Sequence, residues 1–417
     1  MEKLLHYTWR HKMFPLGEMR TTDGRLVEVI SPGLYNRGDG GPDFFNAKLK
    51  VDGLLWVGNV ELHLKASDWY RHHHDTDAAY DSVVMHVVAD ADMDVETSKG
   101  NRLPALVLPI SEDVRRDYAT LLSTERYPPC YMIIPGLQSL KVHAWMAALQ
   151  TERLEQKTVA MAERVKRLNG SWEDGYFATL ARNYGFSING EAFDVWIQHI
   201  PMRAVDHHRD NLFQVETLFL GQAGLLHREP SITLPKDGHT LEEYRREYAY
   251  LQKKFGLTPM DPSLWRYLRT RPQNFPHVRL LELARMYCEH RTGLSELLEC
   301  KDVKAVGNLY GIKGAKLALL VINTVVPSIF AYGRSHAKEY LCERAFDMLE
   351  SLKPEDNHII RMWKECGLDV KDAGDSQALI QLKKEYCDRK ECLRCRFGHE
   401  FLSGEYRNMF LREEDIN

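Results

Sequence analysis

Hydrophobic and polar positions alternate along the first part of the chain. Runs with a period of two residues, typical of β-strands, occupy 26–30, 45–51, 54–64 and 83–88, and a shorter run follows at 105–109. Turn residues separate the runs, and Asp52-Gly53 between two of them predicts a β-hairpin. We therefore expect a β-rich module over residues 1–125.

After Pro135 the apolar positions recur with the period of an α-helix. The predicted helices are 143–168, 172–184, 211–226, 241–254, 278–290, 315–332, 335–350, 354–366 and 376–387. Asn169-Gly170 predicts the end of one helix, and the capping box Thr240-x-x-Glu243 predicts the start of another. The pattern predicts an α+β protein, in which an N-terminal α/β module with a mixed sheet precedes a mainly α-helical domain over 136–417.

Composition narrows the class of protein. The chain has 417 residues, of which 44% are hydrophobic and 27% charged, as in an ordinary folded protein. Its eight cysteines are scattered, which indicates a reducing compartment and no disulfide scaffold. The formal net charge of -4 excludes a polycation, so binding of nucleic acid would need a local basic patch.

Apolar stretches give no sign of a membrane protein. The first ten residues lack an apolar run long enough for a signal peptide or an anchor. The most apolar stretch, 317–330, is too short for a bilayer core of roughly 30 Å and is interrupted by Asn323 and Pro327. We expect a buried core helix there and a cytoplasmic protein without membrane contact, and the oligomeric state stays open.

Ionisable side chains share one face of the predicted strand 54–64. Alternation places Glu61, His63 and Lys65 on one face, while the apolar residues between them face the other. Asp43 lies on the neighbouring strand. Two carboxylates on adjacent strands suit Mg²⁺ or Mn²⁺, and a nearby lysine or histidine can position and deprotonate a water molecule. This is the chemistry of phosphodiester hydrolysis, although a solvated charged strand face is the alternative.

The arrangement resembles the PD-(D/E)XK nuclease superfamily, in which a leading helix and a first strand precede Pro-Asp on the second strand and Glu-x-Lys on the third. The resemblance implies that Asp43 and Glu61 are metal ligands and that Lys65 or His63 positions the water. His63 stands where the superfamily has its lysine. Either His63 replaces the lysine, or Lys65 reaches back from the next position on the same face, or the site is degenerate.

Histidines crowd the segment after this strand, at His72, His73 and His74, and His86 lies in the strand 83–88. Imidazole nitrogens are ligands for transition metals. We expect His74 to contact a metal or a substrate phosphate. His86 alternates with apolar residues, so we expect it to be buried and hydrogen-bonded.

A cysteine cluster lies in the last part of the chain, with the spacing Cys387-x4-Cys392-x2-Cys395-x3-His399. Thiolates two residues apart can share a tetrahedral zinc, and a histidine can complete the site. The spacing predicts a structural zinc site of the Cys₃His type. Three free cysteines at a helix end are the alternative.

Two segments of the helical half are candidate nucleic-acid contacts. The glycines of Tyr310-Gly-Ile-Lys-Gly314 resemble a helix-hairpin-helix loop, which offers backbone N–H groups to a DNA phosphate. With the cysteine cluster, this loop is similar to the endonuclease III type of DNA glycosylase, but the catalytic aspartate and the fourth cysteine of that family are missing, so no catalytic residue is carried over. The basic residues expected to contact nucleic acid are Lys313 and Lys316 in the loop, and Arg266, Arg269 and Arg271 among the aromatic residues of 265–279. Packed helices joined by glycines, and solvated arginines, are the alternatives.

Several longer strings resemble an uncharacterised bacterial family of unknown function, and this resemblance runs along the whole chain. The strings are Arg271-Pro-Gln-Asn-Phe-Pro-His-Val-Arg-Leu280, Asn189-Gly-Glu-Ala-Phe193, Gly221-Gln-Ala-Gly224, Asn323-Thr-Val-Val-Pro327 and Ser376-Gln-Ala-Leu-Ile380. The resemblance implies family membership and no activity.

Three functional hypotheses follow. The first is a Mg²⁺- or Mn²⁺-dependent nuclease with a helical domain that binds nucleic acid and structural zinc. The second is a non-catalytic nucleic-acid-binding or scaffold protein with a degenerate nuclease fold. The third is a metal-dependent phosphoesterase in which histidines surround one ion. Convergence of Asp43, Glu61 and Lys65 would favour the first, and convergence of His63, His72 or His74, and His86 the third.

Overall fold

The computed structural model describes residues 1–14, 19–36, 38, 40–185, 188–228, 232–234 and 238–404. The chain forms two compact units. The first comprises the described residues of Met1–Val142, Glu365–Leu368 and those from Leu382 onward, and the second comprises those of His143–Lys364 and Asp369–Gln381. The cysteine cluster therefore belongs to the first unit, whereas the sequence analysis assigned it to the helical domain. Periodicity identifies a helix, but it does not tell which core that helix joins.

Nine strands lie among the described residues of the first unit. They are β1 (Met19–Arg20), β2 (Leu26–Ser31), β3 (Leu34–Tyr35), β4 (Phe44–Val51), β5 (Leu54–Lys65), β6 (Val83–Asp90), β7 (Val95–Glu96), β8 (Arg102–Leu103) and β9 (Ala105–Val107). The main sheet has the order β1-β2-β4-β5-β6-β9, with β3 beside β4, and β7 pairs separately with β8. Neighbours from β1 to β5 are antiparallel, whereas β5-β6 and β6-β9 are parallel. The predicted mixed sheet is confirmed.

The β4-β5 hairpin fixes the register on which the site depends. Asp52 and Gly53 both have positive φ angles, of 47° and 85°, as a tight two-residue turn requires. Because this turn pairs Val51 with Leu54, the register at the far end of the hairpin pairs Phe44 with Val60, after a bulge. Residue 43 therefore lies beside Glu61, at the end of the hairpin opposite the turn.

Helices make up most of the remaining chain. They are α1 (Glu2–Arg10), α2 (Asp68–Arg71), α3 (Glu112–Ser123), α4 (Ser139–Arg167), α5 (Trp172–Tyr184), α6 (Gly190–His199), α7 (Met202–His207), α8 (Leu212–Gln222), α9 (Leu241–Phe255), α10 (Pro276–Cys288), α11 (Leu294–Glu299), α12 (Val303–Tyr310), α13 (Gly314–Leu320), α14 (Val326–Ser335), α15 (Glu339–Glu350), α16 (His358–Glu365), α17 (Ala373–Gln381) and α18 (Arg396–Leu402). One π-helical segment, Val321–Val325, joins α13 to α14, and another, Leu382–Cys387, follows α17. The sheet followed by a mainly helical region confirms the α+β class.

Capping residues end and start the helices of the second unit where the sequence predicts. Gly170 has a φ of 82° after α4, and the Ser171 side chain accepts a hydrogen bond from the backbone N–H of Asp174 at the start of α5. Both hydrogen bonds of the Thr240–Glu243 capping box are formed at the start of α9. The core of this unit packs α5, α8, α10 and α14 around fully buried aromatic and aliphatic side chains.

Among the described residues, one continuous helix, Gly314–Ser335, is long and apolar enough to cross a membrane by length and composition alone. Its most apolar window is 61% buried within the protein. Val321, Val325 and Ile329 are each fully buried in the core of the second unit. This packing is that of a core helix.

Candidate metal centre

Asp43 and Glu61 lie side by side where β4 and β5 pair. The backbone N–H of Asp43 donates a hydrogen bond to Glu61 Oε2 at 2.9 Å, and the backbone N–H of Leu62 donates to Asp43 Oδ2 at 2.9 Å. Glu61 is only 5% exposed. These bonds hold each carboxylate to the opposite strand, and one oxygen of each is left out of them.

Three histidines converge on the same place. Ligand nitrogens of His63, His72 and His74 all lie within 4.8 Å of one another. His63 projects from β5, and the other two come from the segment after α2. His74 Nε2 lies 3.3 Å and His63 Nε2 3.7 Å from Glu61 Oε1. The structure thus joins the acidic pair and the histidines, which the sequence analysis treated as separate candidates, into one cluster.

A chain of imidazoles passes through His63. Its Nδ1 lies 2.9 Å from His86 Nε2, and its Nε2 lies 3.0 Å from His72 Nδ1. His86 is fully buried, as the alternation in its strand predicts, whereas His72 is exposed. The chain therefore runs from the interior of the first unit to its surface.

Two further side chains at the site were not predicted. His6, from α1, places its Nε2 3.4 Å from Asp43 Oδ2. The Tyr80 ring stacks on the His74 ring with centroids 3.7 Å apart. The periodicity of α1 could have shown that His6 lies close to its buried face, but no local signal shows which strand that face covers.

Two buried ring nitrogens at the site lack an aligned hydrogen-bond partner among the described residues. They are His74 Nε2 and His6 Nε2, although each lies within ion-pair distance of a carboxylate oxygen. Buried polar atoms are normally satisfied, so an unsatisfied atom indicates a missing ligand or ion. At either nitrogen, a metal ion could take the place of the missing hydrogen bond.

Burial controls the charges of the cluster. It raises the pKa of Glu61 to about 9, with the neighbouring Asp43 charge as the second cause, and it also raises the pKa of Asp43. Burial and the surrounding histidines lower the pKa of His63 to about 2, and burial lowers that of His74. Neutral imidazoles offer lone pairs to a metal, and a cation would stabilise both carboxylates in their charged form. The donor set therefore fits a divalent ion.

A cavity of about 260 Å³ opens onto this cluster. Its lining includes Asp43, Glu61, His63, His72, His74 and Tyr80, together with Glu2 from α1 and the loop residues Asn36, Gly38, Gly40 and Gly41. The potential ligands therefore face a space that a small anionic group can enter.

Comparison with known proteins places the chain in a family. The model of the family described as "Protein of unknown function (DUF2851)" matches residues 2–316 and 311–358. The chain belongs to the DUF2851 family. No curated protein and no solved structure matches it. The predicted membership of an uncharacterised family is confirmed, and the cluster around Glu61 lies inside the part matched by the DUF2851 model.

Lys65 lies apart from the cluster in this DUF2851 chain. Its side chain is exposed, and it is not among the residues that line the cavity. Its charge instead lowers the pKa of the exposed Asp92 carboxyl, after the hydrogen bonds from Ser67. Of the two candidates for the lysine role, the structure therefore brings only His63 to the carboxylates.

The basic residues predicted to contact nucleic acid lie in the second unit. Arg266, Arg269, Arg271 and Lys313 are exposed. Lys316 instead places its Nζ 3.2 Å from Glu282 Oε2 and 3.1 Å from the Tyr184 hydroxyl. Nucleic-acid contact stays a prediction for all five, but Lys316 would have to leave an ion pair to make it.

Proposed function

We propose that the protein is a metal-dependent nuclease that hydrolyses phosphodiester bonds at the cluster of Asp43, Glu61 and the neighbouring histidines. The observation that carries the proposal is the convergence of two carboxylates and three imidazoles on one cavity. Carboxylates rarely gather in a buried cluster without a role, because burying a carboxylate costs free energy.

The order of elements supports this proposal. A leading helix, α1, is followed by β2, β4 and β5 in antiparallel pairing, then by α2, and then by β6 parallel to β5. Pro42-Asp43 stands immediately before β4, and Glu61 lies on β5. This order is similar to that of the PD-(D/E)XK nucleases, with His63 at the position of the superfamily lysine.

The ligand types favour Mn²⁺ over Mg²⁺. Asp43 and Glu61 supply carboxylate oxygens, which Mg²⁺ and Mn²⁺ both accept, but the unsatisfied His74 nitrogen suits a transition metal. We assign the ion to Asp43, Glu61 and His74. When bound, it would neutralise charge on the phosphate and lower the pKa of water.

His63 has the position of the group that orients the attacking water. Its lowered pKa keeps it neutral at pH 7, and its Nε2 lies between Glu61 and exposed His72. So weak a base would not take the proton of the water, but its ring can hold the water by a hydrogen bond while the proton of the metal-activated water leaves to solvent. Tyr80 stacks on His74 and restricts its ring, which keeps the ligand in place.

A second candidate, hydrolysis of small phosphoesters, is favoured by one observation. The cavity of about 260 Å³ matches a phosphate with a small substituent. His63, His72 and His74 gather at this cavity, whereas His86, which that hypothesis also required, contacts His63 from the interior and is outside the group. Both candidates use the same residues, so the choice of substrate separates them.

Activity is tested with a panel of substrates in Mn²⁺ or Mg²⁺: single-stranded, duplex and branched DNA, RNA, and bis-p-nitrophenyl phosphate. We expect Mn²⁺-dependent cleavage of nucleic acid, and a loss of at least about 100-fold for His63→Ala, since a misplacement of a reacting group by about 1 Å can cost on the order of 100-fold. Lys65→Ala should stay within about threefold of wild type, because its side chain lies outside the cavity. A larger loss for Lys65→Ala than for His63→Ala would reverse the assignment. Cleavage of the small ester alone would favour the phosphoesterase, and no cleavage of any substrate would contradict both.

Metal binding is tested separately by calorimetric titration of chelator-treated protein with MnCl₂. We expect His74→Asn to weaken Mn²⁺ binding by more than about tenfold, since even groups that only support a ligand contribute 10- to 100-fold. The matched control is His73→Asn. His73 is exposed and has a φ of 62°, a conformation that asparagine tolerates, so its replacement should leave Mn²⁺ affinity unchanged. Equal affinities in the two variants would exclude His74 as a ligand.

A further inference from the structure

Four cysteines of the first unit share one buried region. Cys387, Cys392 and Cys395 form the predicted C-terminal cluster, and Cys130 comes from the segment after α3. Each is less than 10% exposed, and none of the four is in a disulfide bond. Cys130 is not among the ligands predicted from the sequence, since nothing near it in the chain indicates one.

Contacts on both sides of Cys130 bring it to the cluster. The Tyr127 hydroxyl donates a hydrogen bond to Asp388 Oδ1 at 2.5 Å, and Asp388 directly follows Cys387 in the chain. Helix α18, which begins after Cys395, packs against the short helix Tyr131–Gly136, which begins after Cys130. The segment of Cys130 and the segment of the other three cysteines are thus in contact three residues before Cys130 and directly after it.

Further contacts extend this junction. Lys390 Nζ donates a hydrogen bond to the Leu122 carbonyl at 2.7 Å, and α18 also packs against α3. These contacts place the segment that carries Cys130 against the segment that carries the other three cysteines.

The local backbone suits ligands of one ion. The backbone N–H of Cys395 donates to the Cys392 carbonyl at 3.2 Å, so the two cysteines flank a tight turn. Separations of two to four residues between paired cysteines are typical of structural zinc sites, and both intervals of the cluster fall in that range. His399 Nδ1 lies 2.7 Å from the Tyr7 hydroxyl, so Nε2 is the nitrogen with which His399 would compete with Cys130 for the fourth position.

We propose that Cys130, Cys387, Cys392 and Cys395 bind one metal centre through four thiolates, so that Cys130 and not His399 completes the site. Four thiolates are the ligand set of a structural Zn²⁺ and of an iron–sulfur cluster. Either centre would fasten the segment around α18 to the rest of the first unit. This site is separate from the cluster around Glu61, and the proposal does not depend on hydrolysis.

The test uses the full chain, purified anaerobically without an affinity tag. Its metal content is measured by mass spectrometry, its sulfide content by chemical assay, and its visible absorption spectrum is recorded. We expect about one zinc per chain, or iron with matching sulfide and visible absorption, as the site's stoichiometry requires. The matched pair is Cys130→Ser and Cys366→Ser. Both cysteines are buried in the first unit. Cys366 serves as the control because its pKa is raised by burial and affected by Arg126 and Glu365, and not by the other cysteines.

Cys130→Ser should lower the metal content at least about tenfold, whereas Cys366→Ser and His399→Ala should retain it. Loss of metal in His399→Ala with retention in Cys130→Ser would restore the Cys₃His site and overturn the proposal. Absence of both zinc and iron from the wild type would also overturn it. If Cys130→Ser does not fold, titration of the wild type with p-hydroxymercuribenzoate decides: release of the metal should require modification of four thiols, and release after three would contradict the proposal.

Discussion

Replacing Glu61 with glutamine should abolish hydrolysis while leaving the fold intact. The amide oxygen of glutamine can still accept the hydrogen bond from the Asp43 backbone N–H, but the negative charge beside His74 is lost. Loss of a metal ligand should lower the cleavage rate more than about 100-fold, because groups that only support a ligand already contribute 10- to 100-fold. The rate is measured in Mn²⁺ on the substrate that the wild type cleaves best.

The same substitution should stabilise the protein when a chelator is present. The pKa of Glu61 rises from its ordinary value of 4.5 to about 9 on folding. The folded state therefore binds a proton that the unfolded state has released, so this carboxyl destabilises the fold increasingly as the pH rises from 4.5 towards 9. Glutamine removes this penalty. At pH 7.5 the melting temperature of chelator-treated Glu61→Gln should be equal to or higher than that of wild type.

Glu28→Gln is the control for both measurements. Glu28 lies on β2 of the same sheet, its side chain is 69% exposed, and its nearest cation is Lys50 at 3.9 Å. We expect unchanged activity and an unchanged melting temperature, because exposed ion pairs contribute little. If Glu61→Gln cleaves at the rate of Glu28→Gln, the assignment of the active site is wrong.

Alanine at Gly221 should destabilise the second unit strongly. Gly221 lies in α8 against α9, and an added Cβ would overlap the ring of Tyr248, which is 3% exposed. Since the ring is buried, it cannot move aside without disturbing the core. Overpacking of this kind costs about 1–3 kcal/mol, which should appear as a lower midpoint of urea unfolding.

Gly190→Ala provides the comparison. Gly190 begins α6, and the nearest atom to its added Cβ would be the Arg182 carbonyl oxygen at 3.5 Å, an ordinary van der Waals contact. Because alanine favours the helix more than glycine does, this variant should be as stable as wild type or slightly more stable. Equal midpoints of urea unfolding for Gly221→Ala and Gly190→Ala would show that α8 and α9 can move apart at little cost in free energy.

The acidic pair could be predicted from sequence because each step in its placement is local. Alternation from Leu54 to Lys65 identifies the strand, and Asp52-Gly53 sets the turn and hence the register that brings Asp43 beside Glu61. The same alternation puts Lys65 on the face of Glu61, but it does not show where the cavity ends. That limit depends on the segment of His72 and His74, whose position is set by tertiary packing.

Contacts between segments that are distant in the chain could not be predicted from the sequence. His6 reaches Asp43 because α1 packs on β5, and the segment of Cys130 reaches the C-terminal cysteines because α18 packs against the short helix after Cys130. No periodicity relates such pairs. Short helices were missed for a different reason: α11 and α12 have six and eight residues, too few for a repeating apolar pattern.

The division of the chain has a consequence for synthesis on the ribosome. The first unit is built from residues that precede the second unit and residues that follow it. The β-sheet therefore leaves the ribosome early, whereas the segment around α18 is made only after the whole second unit. Domains generally fold as they emerge, from the N-terminus onward. The sheet must therefore persist unfinished while the inserted helices fold, with the hydrophobic surface that α18 covers exposed to chaperones and to aggregation until α18 itself has been made.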